Sequence, residues 1–450
     1  MDNKKEHYGL FTATTMIIGI VIGSGIFFKC DDVLKYTGGN VWLGVAAFCI
    51  GAWSIIFGSL TLIELSVRTR KNGGIVGYYE DFVSRKIASG FGWFQTFVYF
   101  PTITAVVSWV AAIYTCALFH INASLEMQIA IGFLIMAVFY AVNILSVKLG
   151  GYIQNISTVI KLIPLLVIAI FGIFYGASNP EIPVGVTPVL VHDKGVGWLA
   201  ALAPIAFSYD GWIVATSITN EVKNPKRNMS LALIIGPCAV LGTYLLYFLG
   251  LNHMLGAEYI MSVGNESVNN AGAFLLGGNS TKIMLIFVVI AILGVVNGLT
   301  LGSIRMPQAL ASKNMIPMAE KISQTSPKTQ LSAWSCLISF IVAAFWLLVH
   351  YVIQKTGIMG TGDISEISIV FSYVCYSLLY LKVMQMKKAQ TVTSIFKGIV
   401  CPVLALLGSA IILVGGIVSN PVYAPIFIVF CGVVAFLGVQ YYQRNGVNHN

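Results

Sequence analysis

The sequence predicts an all-α membrane protein with twelve transmembrane helices, arranged as a 5+5 inverted repeat with broken helices 1 and 6. Composition is the first observation: 57% of residues are hydrophobic and only 10% are charged, whereas a soluble domain is about one quarter charged. The second is a set of twelve apolar spans of membrane length. The third is that two of these spans, five apart, are interrupted in their middle, which is typical of inverted repeats in membranes.

The twelve spans follow one another with short connections, so residues 1–450 are expected to form one integral membrane domain. The first repeat would cover 8–176, the second 196–383, and helices 11 and 12 would lie in 397–442. The repeat is inferred from the breaks, because the two halves show no convincing similarity residue by residue. The spans are 10–36, 41–67, 91–119, 127–146, 153–176, 196–222, 229–252, 281–306, 332–351, 364–383, 397–417 and 423–442.

The net charge of +9 indicates topology rather than nucleic acid binding. Of the 26 Lys and Arg residues, 20 fall on the side of the two termini, 5 on the opposite side, and Lys161 within a span. Positive loops stay in the cytoplasm, so both termini are predicted to be cytoplasmic. The polar start MDNKKEHYGL does not have the form of a cleavable signal peptide.

The sequence contains no recognisable motif for metal binding or catalysis. The eight cysteines are scattered without a CxxC pair and the six histidines do not cluster, so neither a metal site nor a disulfide framework is expected. No nucleotide-binding or hydrolase motif occurs. The chain is therefore expected to be no enzyme and to need no cofactor.

The first break is Gly23-Ser24-Gly25, inside the apolar run MIIGIVIGSGIFF. Breaking a helix frees N–H donors on one half and carbonyl acceptors on the other, and in lipid these groups need partners. The freed amides of Ser24, Gly25 and Ile26 suit a carboxylate. The competing interpretation is a helix-packing face of small residues.

The second break is Asp210-Gly211, in the run AFSYDGW at 206–212. Asp-Gly is a turn signal, and the unwound stretch would begin near Ser208. Asp210 is expected to cap the following helical half, with direct substrate contact as the alternative.

An ammonium group suits the carbonyl groups that the two breaks expose. These are the carbonyls near Ile20, Val21 and Phe207. Together with the amides, they predict a site for a zwitterion such as an α-amino acid. Phe207 directly precedes the second break, so it is either a thin aromatic gate or an ordinary packing residue.

Lys161 lies about half a span from the inner end of the fifth helix. Ionisable residues inside a membrane are costly and usually functional. Its expected partners are the carbonyls of the first break and Asn297 of the eighth span. The alternatives are a snorkelling lysine and a lysine that exchanges protons.

Five stretches resemble, in order and spacing, the L-type amino acid transporter family of the amino acid–polyamine–organocation superfamily. They are IGSGIFFK, NGG at 72–74, IKLIPLL, FSYDGWIVATSITNEVKNPKRN and NGLTLGSIRMPQALASKNMIP. The resemblance covers about residues 8 to 440. It is greatest to the bacterial serine/threonine and alanine-serine-cysteine exchangers.

The resemblance implies the leucine-transporter-type fold and sodium-independent exchange of small neutral L-amino acids such as alanine, serine, threonine or cysteine. It implies that the amides of Ser24 and Gly25 hold the substrate carboxylate and that the carbonyls of Val21 and Phe207 hold its amine, with Phe207 as gate. Ile22 and Gly23 lie in the same turn and are further substrate-binding candidates. Lys161 would stand where sodium-coupled relatives bind a cation. The alternative mechanism is a proton-coupled symporter that uses Lys161. The side-chain pocket is expected on helices 3, 6, 8 and 10, with candidates Tyr99, Pro101, Tyr373 and Tyr376.

The partners implied are amino acid substrates and the lipid bilayer, without nucleic acid. Animal members of the family are joined to a heavy chain through a cysteine between helices 3 and 4. The corresponding loop here, HINASLEMQ, has none, so no disulfide-linked heavy chain is expected. The expected location is a bacterial inner or plasma membrane, crossed many times.

Overall fold

The computed structural model describes residues 8–23, 25–69, 73–174, 180–202, 205, 208–264, 266–276, 280–359, 364–419 and 421–445. Over this part of the chain the protein is helical. Its extended backbone pairs at a single isolated parallel bridge, between Tyr8 and Val222. The all-α class is confirmed for the described residues.

The α-helices are numbered here in chain order. They are α1 (Leu10–Val21), α2 (Gly25–Phe28), α3 (Cys30–Tyr36), α4 (Val41–Ser66), α5 (Ile75–Phe82), α6 (Arg85–Phe94), α7 (Phe100–Leu118), α8 (Leu125–Leu145), α9 (Val147–Phe174), α10 (Pro225–Leu255), α11 (Ala257–Val263), α12 (Glu266–Leu276), α13 (Ser280–Ser303), α14 (Met306–Ala311), α15 (Ala319–Ile322), α16 (Ala333–Thr356), α17 (Ile364–Lys388), α18 (Cys401–Ser419) and α19 (Tyr423–Asn445).

Ten helical stretches of the described chain are long and apolar enough to cross a bilayer. They are α4, α6 continued by α7, α8, α9, α10, α13 continued by α14, α16, α17, α18 and α19. A π-helical turn, Gln95–Tyr99, joins α6 to α7, and a second, Phe396–Val400, leads into α18. These ten stretches correspond to predicted spans 2–5 and 7–12. The count of twelve and the 5+5 repeat remain predictions.

The first predicted span, 10–36, is divided into α1, α2 and α3. α1 ends at Val21, and Ile22 has an extended conformation (φ −77°, ψ 95°). The interruption therefore falls at the Gly-Ser-Gly sequence, as predicted. Ser24 itself lies outside the described residues.

The sixth predicted span, 196–222, is divided as well. Its described parts include two 3₁₀ segments, Gly195–Ala201 and Trp212–Glu221. Between them Gly211 has φ +94°, and a Cβ there would come 2.5 Å from Ile20 Cγ2. Only glycine fits this combination of conformation and close approach, so the second break also falls where the sequence indicates it.

The broken first segment lies in the middle of the helix bundle. α1 packs against α9, α10, α13 and the segment Trp212–Glu221. The last two helices lie further out: α18 packs on α4 and α17, and α19 packs mainly on α6. This arrangement brings the two breaks face to face.

Two of the longer connections between predicted spans lie at 68–86 and 256–278. The described residues of the first contain α5, and those of the second contain α11 and α12. α5 contacts Trp212–Glu221, and α11 contacts α3. Each connection therefore packs against a part of a broken span.

Candidate functional site

A small, partly open cavity of about 50 Å³ lies where the two broken segments meet. One of its walls is formed by residues at the breaks. They are Ile20, Val21, Gly23, Gly25, Ser208, Asp210 and Gly211. The two breaks are in contact, because a Cβ built on Gly25 would come 3.0 Å from Ser208 Oγ.

The opposite wall is aliphatic. Ile103 and Val107 come from α7, Val295 and Leu299 from α13, and Ile369 from α17. The third, sixth, eighth and tenth predicted spans thus all contribute residues to the cavity, as predicted. The residue types of this wall, however, differ from those that the sequence suggested. The aromatic candidates on α17, Tyr373 and Tyr376, are buried among other rings and do not line this cavity.

Lys161 on α9 reaches the break in the first segment. Its Nζ donates to the carbonyl oxygen of Gly19 at 2.6 Å and to that of Ile22 at 2.8 Å. The side chain is fully buried, so it does not snorkel. The predicted bonds to carbonyls of the first break are present.

Asn297, the other partner expected for Lys161, bonds elsewhere. Its amide donates to Gly150 O at 2.9 Å and to Gln154 Oε1 at 3.1 Å, and its oxygen accepts from Asn143 at 3.0 Å. It therefore joins α13 to α8 and α9. On α13 it is Gly294, one turn earlier, that approaches the lysine: a Cβ there would lie 3.3 Å from Nζ.

Asp210 does not cap the helical half that follows it. The N-cap position before Trp212–Glu221 is occupied by Gly211, which has no side chain to accept a bond from the first N–H groups. Asp210 Oδ2 instead accepts the hydroxyl hydrogen of Tyr99, which lies 2.8 Å away. The residue also lines the cavity.

Tyr244 on α10 is a site residue that the sequence did not reveal. Its hydroxyl lies 2.8 Å from the Ser208 carbonyl oxygen and 3.1 Å from that of Val21. It therefore ties the two breaks together. A tyrosine within an apolar span has no distinguishing pattern, so only the packing of α10 on α1 identifies it.

The remaining candidates fall into two groups. Ile22 and Ile26 are fully buried; neither lines the cavity, and Ile22 contributes its carbonyl to Lys161. Ser24 and Phe207 lie outside the described residues, so the amide of Ser24 and the gate remain predictions. Among the described residues, no group of three or more His, Cys, Asp and Glu side chains could hold a metal ion.

Two helix breaks that face a shared cavity within a bundle of membrane-length helices define a transport protein of the bilayer. The chain belongs to the amino acid permease family, which matches residues 8–439. It is therefore a multi-pass membrane protein of a family that transports amino acids, and this family is not a class of enzymes. The predicted family resemblance is confirmed.

Three relatives show the breadth of the family around this chain. The serine/threonine exchanger SteT of Bacillus subtilis is 28% identical, over 97% of this chain and 95% of its own length. The human b(0,+)-type amino acid transporter 1 is 26% identical, over 97% and 88%. The mouse Asc-type amino acid transporter 1 is 26% identical, over 97% and 81%.

The contacts of Lys161 yield a direct test. Lys161→Ala should weaken amino acid transport by about tenfold or more, because it leaves two buried carbonyls without a donor at a cost of about 1–3 kcal/mol each. Uptake of radiolabelled serine into proteoliposomes measures the effect. Lys355→Ala is the matched control: this lysine is exposed and bonds to Glu126, so its loss should leave uptake unchanged. Wild-type uptake by the Lys161 variant would remove the lysine from the mechanism.

Proposed function

We propose that the protein is a sodium-independent exchanger of small neutral L-amino acids, such as alanine, serine, threonine or cysteine, that works by alternating access. The observation that carries the proposal is the arrangement at the first break. A lysine ammonium already holds the freed carbonyls of Gly19 and Ile22, while other residues of both breaks line the cavity.

The carboxylate of the substrate is assigned to the amides of Ser24, Gly25 and Ile26. Gly23 and Gly25 line the cavity, so a ligand can approach the backbone without meeting a side chain at those two positions. Backbone N–H groups at the start of a helical turn favour an anion. This assignment explains why the sequence has glycine on both sides of Ser24.

The ammonium of the substrate is assigned to carbonyl groups on the first and sixth segments. Val21 and Ser208 line the cavity, and their carbonyls already interact with the Tyr244 hydroxyl. A carbonyl oxygen has two lone pairs, so each can also accept from a substrate ammonium. The carboxyl group of Asp210, which lines the same cavity, adds a further acceptor, and the carbonyl of Phe207 completes the predicted set.

The aliphatic wall sets the class of side chain. Val295 lies close to the break, because a Cβ on Gly23 would come 3.2 Å from its Cγ2. Together with Ile103 and Ile369 it lines the cavity. Among the described lining residues none has a positively charged side chain that could bind an acidic substrate. A small neutral side chain fits such a wall.

Sodium independence is inferred from Lys161. An ammonium that donates to two carbonyls of the broken helix supplies the positive charge that a bound metal cation would otherwise supply there. As a fixed cation, Lys161 would keep its charge through the transport cycle, and net movement would then depend on an amino acid on the far side. The alternative is a proton-coupled symporter in which Lys161 loses its proton in each cycle.

The proposed architecture has twelve transmembrane helices in two inverted repeats, 8–176 and 196–383, with the outer pair in 397–442. The two divided segments supply helices 1 and 6. The excess of Lys and Arg on one side supports cytoplasmic termini in a bacterial cell membrane. The loop between α7 and α8 has no cysteine, which supports transport without a disulfide-linked heavy chain.

Exchange is tested with purified protein in liposomes. Uptake of radiolabelled serine should be fast into vesicles preloaded with unlabelled serine and slow into empty vesicles, since the return step requires a bound amino acid. Replacing external sodium with choline should leave the preloaded rate unchanged. Equal uptake into loaded and empty vesicles, or loss of uptake without sodium, would contradict the proposal.

The zwitterion site is tested with analogues that lack one charge. Alaninamide should inhibit serine uptake at least about tenfold more weakly than alanine does. It cannot place a carboxylate on the amides of the first break, so it loses charge-assisted hydrogen bonds. Alanine serves as the matched control of equal side-chain size. Inhibition by alaninamide at the same concentration as alanine would refute the assignment of the carboxylate.

A further inference from the structure

Four basic residues lie close together at one end of the helix bundle, and none of them lines the cavity. They are Arg68 after α4, Lys387 and Lys388 at the end of α17, and Lys397 in the π-helical turn Phe396–Val400. These four residues are called the basic patch below. Each stands at the end of a membrane-length helix, so the patch lies at the level of the lipid headgroups. In the predicted topology this is the cytoplasmic side.

A single carboxylate holds two members of the patch. Glu64 Oε2 accepts from Arg68 Nη1 at 2.6 Å, and Glu64 Oε1 lies 3.2 Å from Lys397 Nζ. Arg68 Nη2 also donates to the carbonyl oxygen of Thr391 at 3.3 Å. The end of α4 is thus joined to the connection between α17 and α18. The side chain of Glu64 is 7% exposed and that of Lys397 is 52% exposed, so the lysine reaches the surface.

Lys387 lies across the start of the same π-helical turn. A Cβ on Gly398 would come 2.7 Å from Lys387 Cβ and 3.1 Å from its Cδ, so the lysine can pass only because residue 398 has no side chain. Lys387 Nζ donates to the carbonyl oxygen of Thr393 at 2.7 Å. Because Lys397 directly precedes Gly398, the two lysines border one short turn.

The basic patch carries more positive charge than its acidic neighbours neutralise. Besides Glu64, Asp81 lies close by and accepts from the hydroxyl of Thr69 at 2.7 Å. Four basic residues less these two carboxylates leave two positive charges. An ammonium has three hydrogens, and the described contacts give Nζ of Lys387 and of Lys397 one acceptor each. Both lysines therefore have hydrogens left for an anion.

Apolar side chains adjoin the patch on the helix surface. Ile395, Phe396 and Ile399 are exposed and stand at the start of the membrane-length helix Phe396–Val418. In a bilayer, exposed side chains at this position lie against acyl chains. Basic residues alone would suit any phosphate, but basic and apolar groups side by side suit a molecule that carries both a phosphate and acyl chains.

We propose that the basic patch binds the headgroup of an anionic phospholipid from the leaflet on that side. The phosphate oxygens accept hydrogen bonds from the ammonium groups of Lys387 and Lys397, and the acyl chains run along Phe396 and Ile399 towards the bilayer centre. Since Lys397 also contacts Glu64, the bound lipid joins α4 to the connection between α17 and α18.

Binding is tested by native mass spectrometry of the purified protein in a neutral detergent, so the result is independent of the proposed exchange. Phosphatidylglycerol should occupy a site at a concentration about tenfold lower than phosphatidylcholine with the same acyl chains. Lys387→Gln combined with Lys397→Gln should weaken phosphatidylglycerol binding about tenfold or more. The reason is that each basic residue near an anionic lipid contributes a factor of about five.

Two matched variants separate a specific site from general charge and from misfolding. Lys387→Arg combined with Lys397→Arg keeps both charges and should keep the wild-type affinity. Lys328→Gln removes an exposed lysine between α15 and α16 and should leave the affinity unchanged. Equal binding of the two lipids by the wild-type protein, unchanged binding in the glutamine pair, or an equal loss in Lys328→Gln would overturn the proposed site.

Glycerol phosphate distinguishes a lipid from a soluble phosphate. It carries a phosphate group without acyl chains, so at the concentration of the lipid it should leave phosphatidylglycerol bound. Phe396→Asn removes an exposed apolar side chain and no charge, and it should weaken lipid binding. Displacement of the lipid by glycerol phosphate at that concentration would identify a site for soluble phosphates and overturn the assignment to a lipid.

Discussion

The ammonium of Lys161 donates to two carbonyl oxygens at the end of α1, and the interruption of the first segment depends on those two bonds. A helix that stops inside a bilayer leaves carbonyl groups that water cannot reach, at a cost of several kcal/mol each if they stay unpaired. Lys161 is fully buried and bonds to Gly19 and Ile22. These two hydrogen bonds therefore compensate part of the cost of burying the charge and part of the cost of breaking the helix.

Small residues allow the helices to come close enough for Lys161 to contact the end of α1. At Gly19 a Cβ would come 2.2 Å from Thr158 Oγ1 and 2.3 Å from Gln154 Nε2, so α9 can approach α1 only where α1 has glycine. Gly294 does the same for α13. Once the three helices are packed in this way, the break faces the cavity, and Tyr244 connects it to Ser208.

The sequence predicted the parts of this arrangement that have a local signal. Gly-Ser-Gly and Asp-Gly interrupt apolar runs, and the structure divides both spans there; an intramembrane lysine without a neighbouring acid indicated bonds to freed carbonyls. The partners that failed or were missed depend on rotation of helices about their axes. Asn297 was expected to meet Lys161, but Gly294 occupies that face and Asn297 points to α8 and α9. Asp210 was expected to cap a helix, but Gly211 takes that position with positive φ and Tyr99 binds the carboxylate. Tyr244 contacts residues far apart in sequence, Val21 and Ser208, and no pattern within one span predicts these contacts.

The central claim is that Lys161 acts as a fixed cation that holds the broken helix throughout the cycle. Uptake of radiolabelled alanine into empty proteoliposomes with an alkaline interior tests it most directly, with preloaded vesicles at equal pH as the reference. A fixed cation predicts negligible accumulation in the empty vesicles and rapid uptake in the preloaded ones. Strong accumulation driven by the pH gradient alone, lost in Lys161→Ala, would contradict the claim and identify the lysine as a proton carrier.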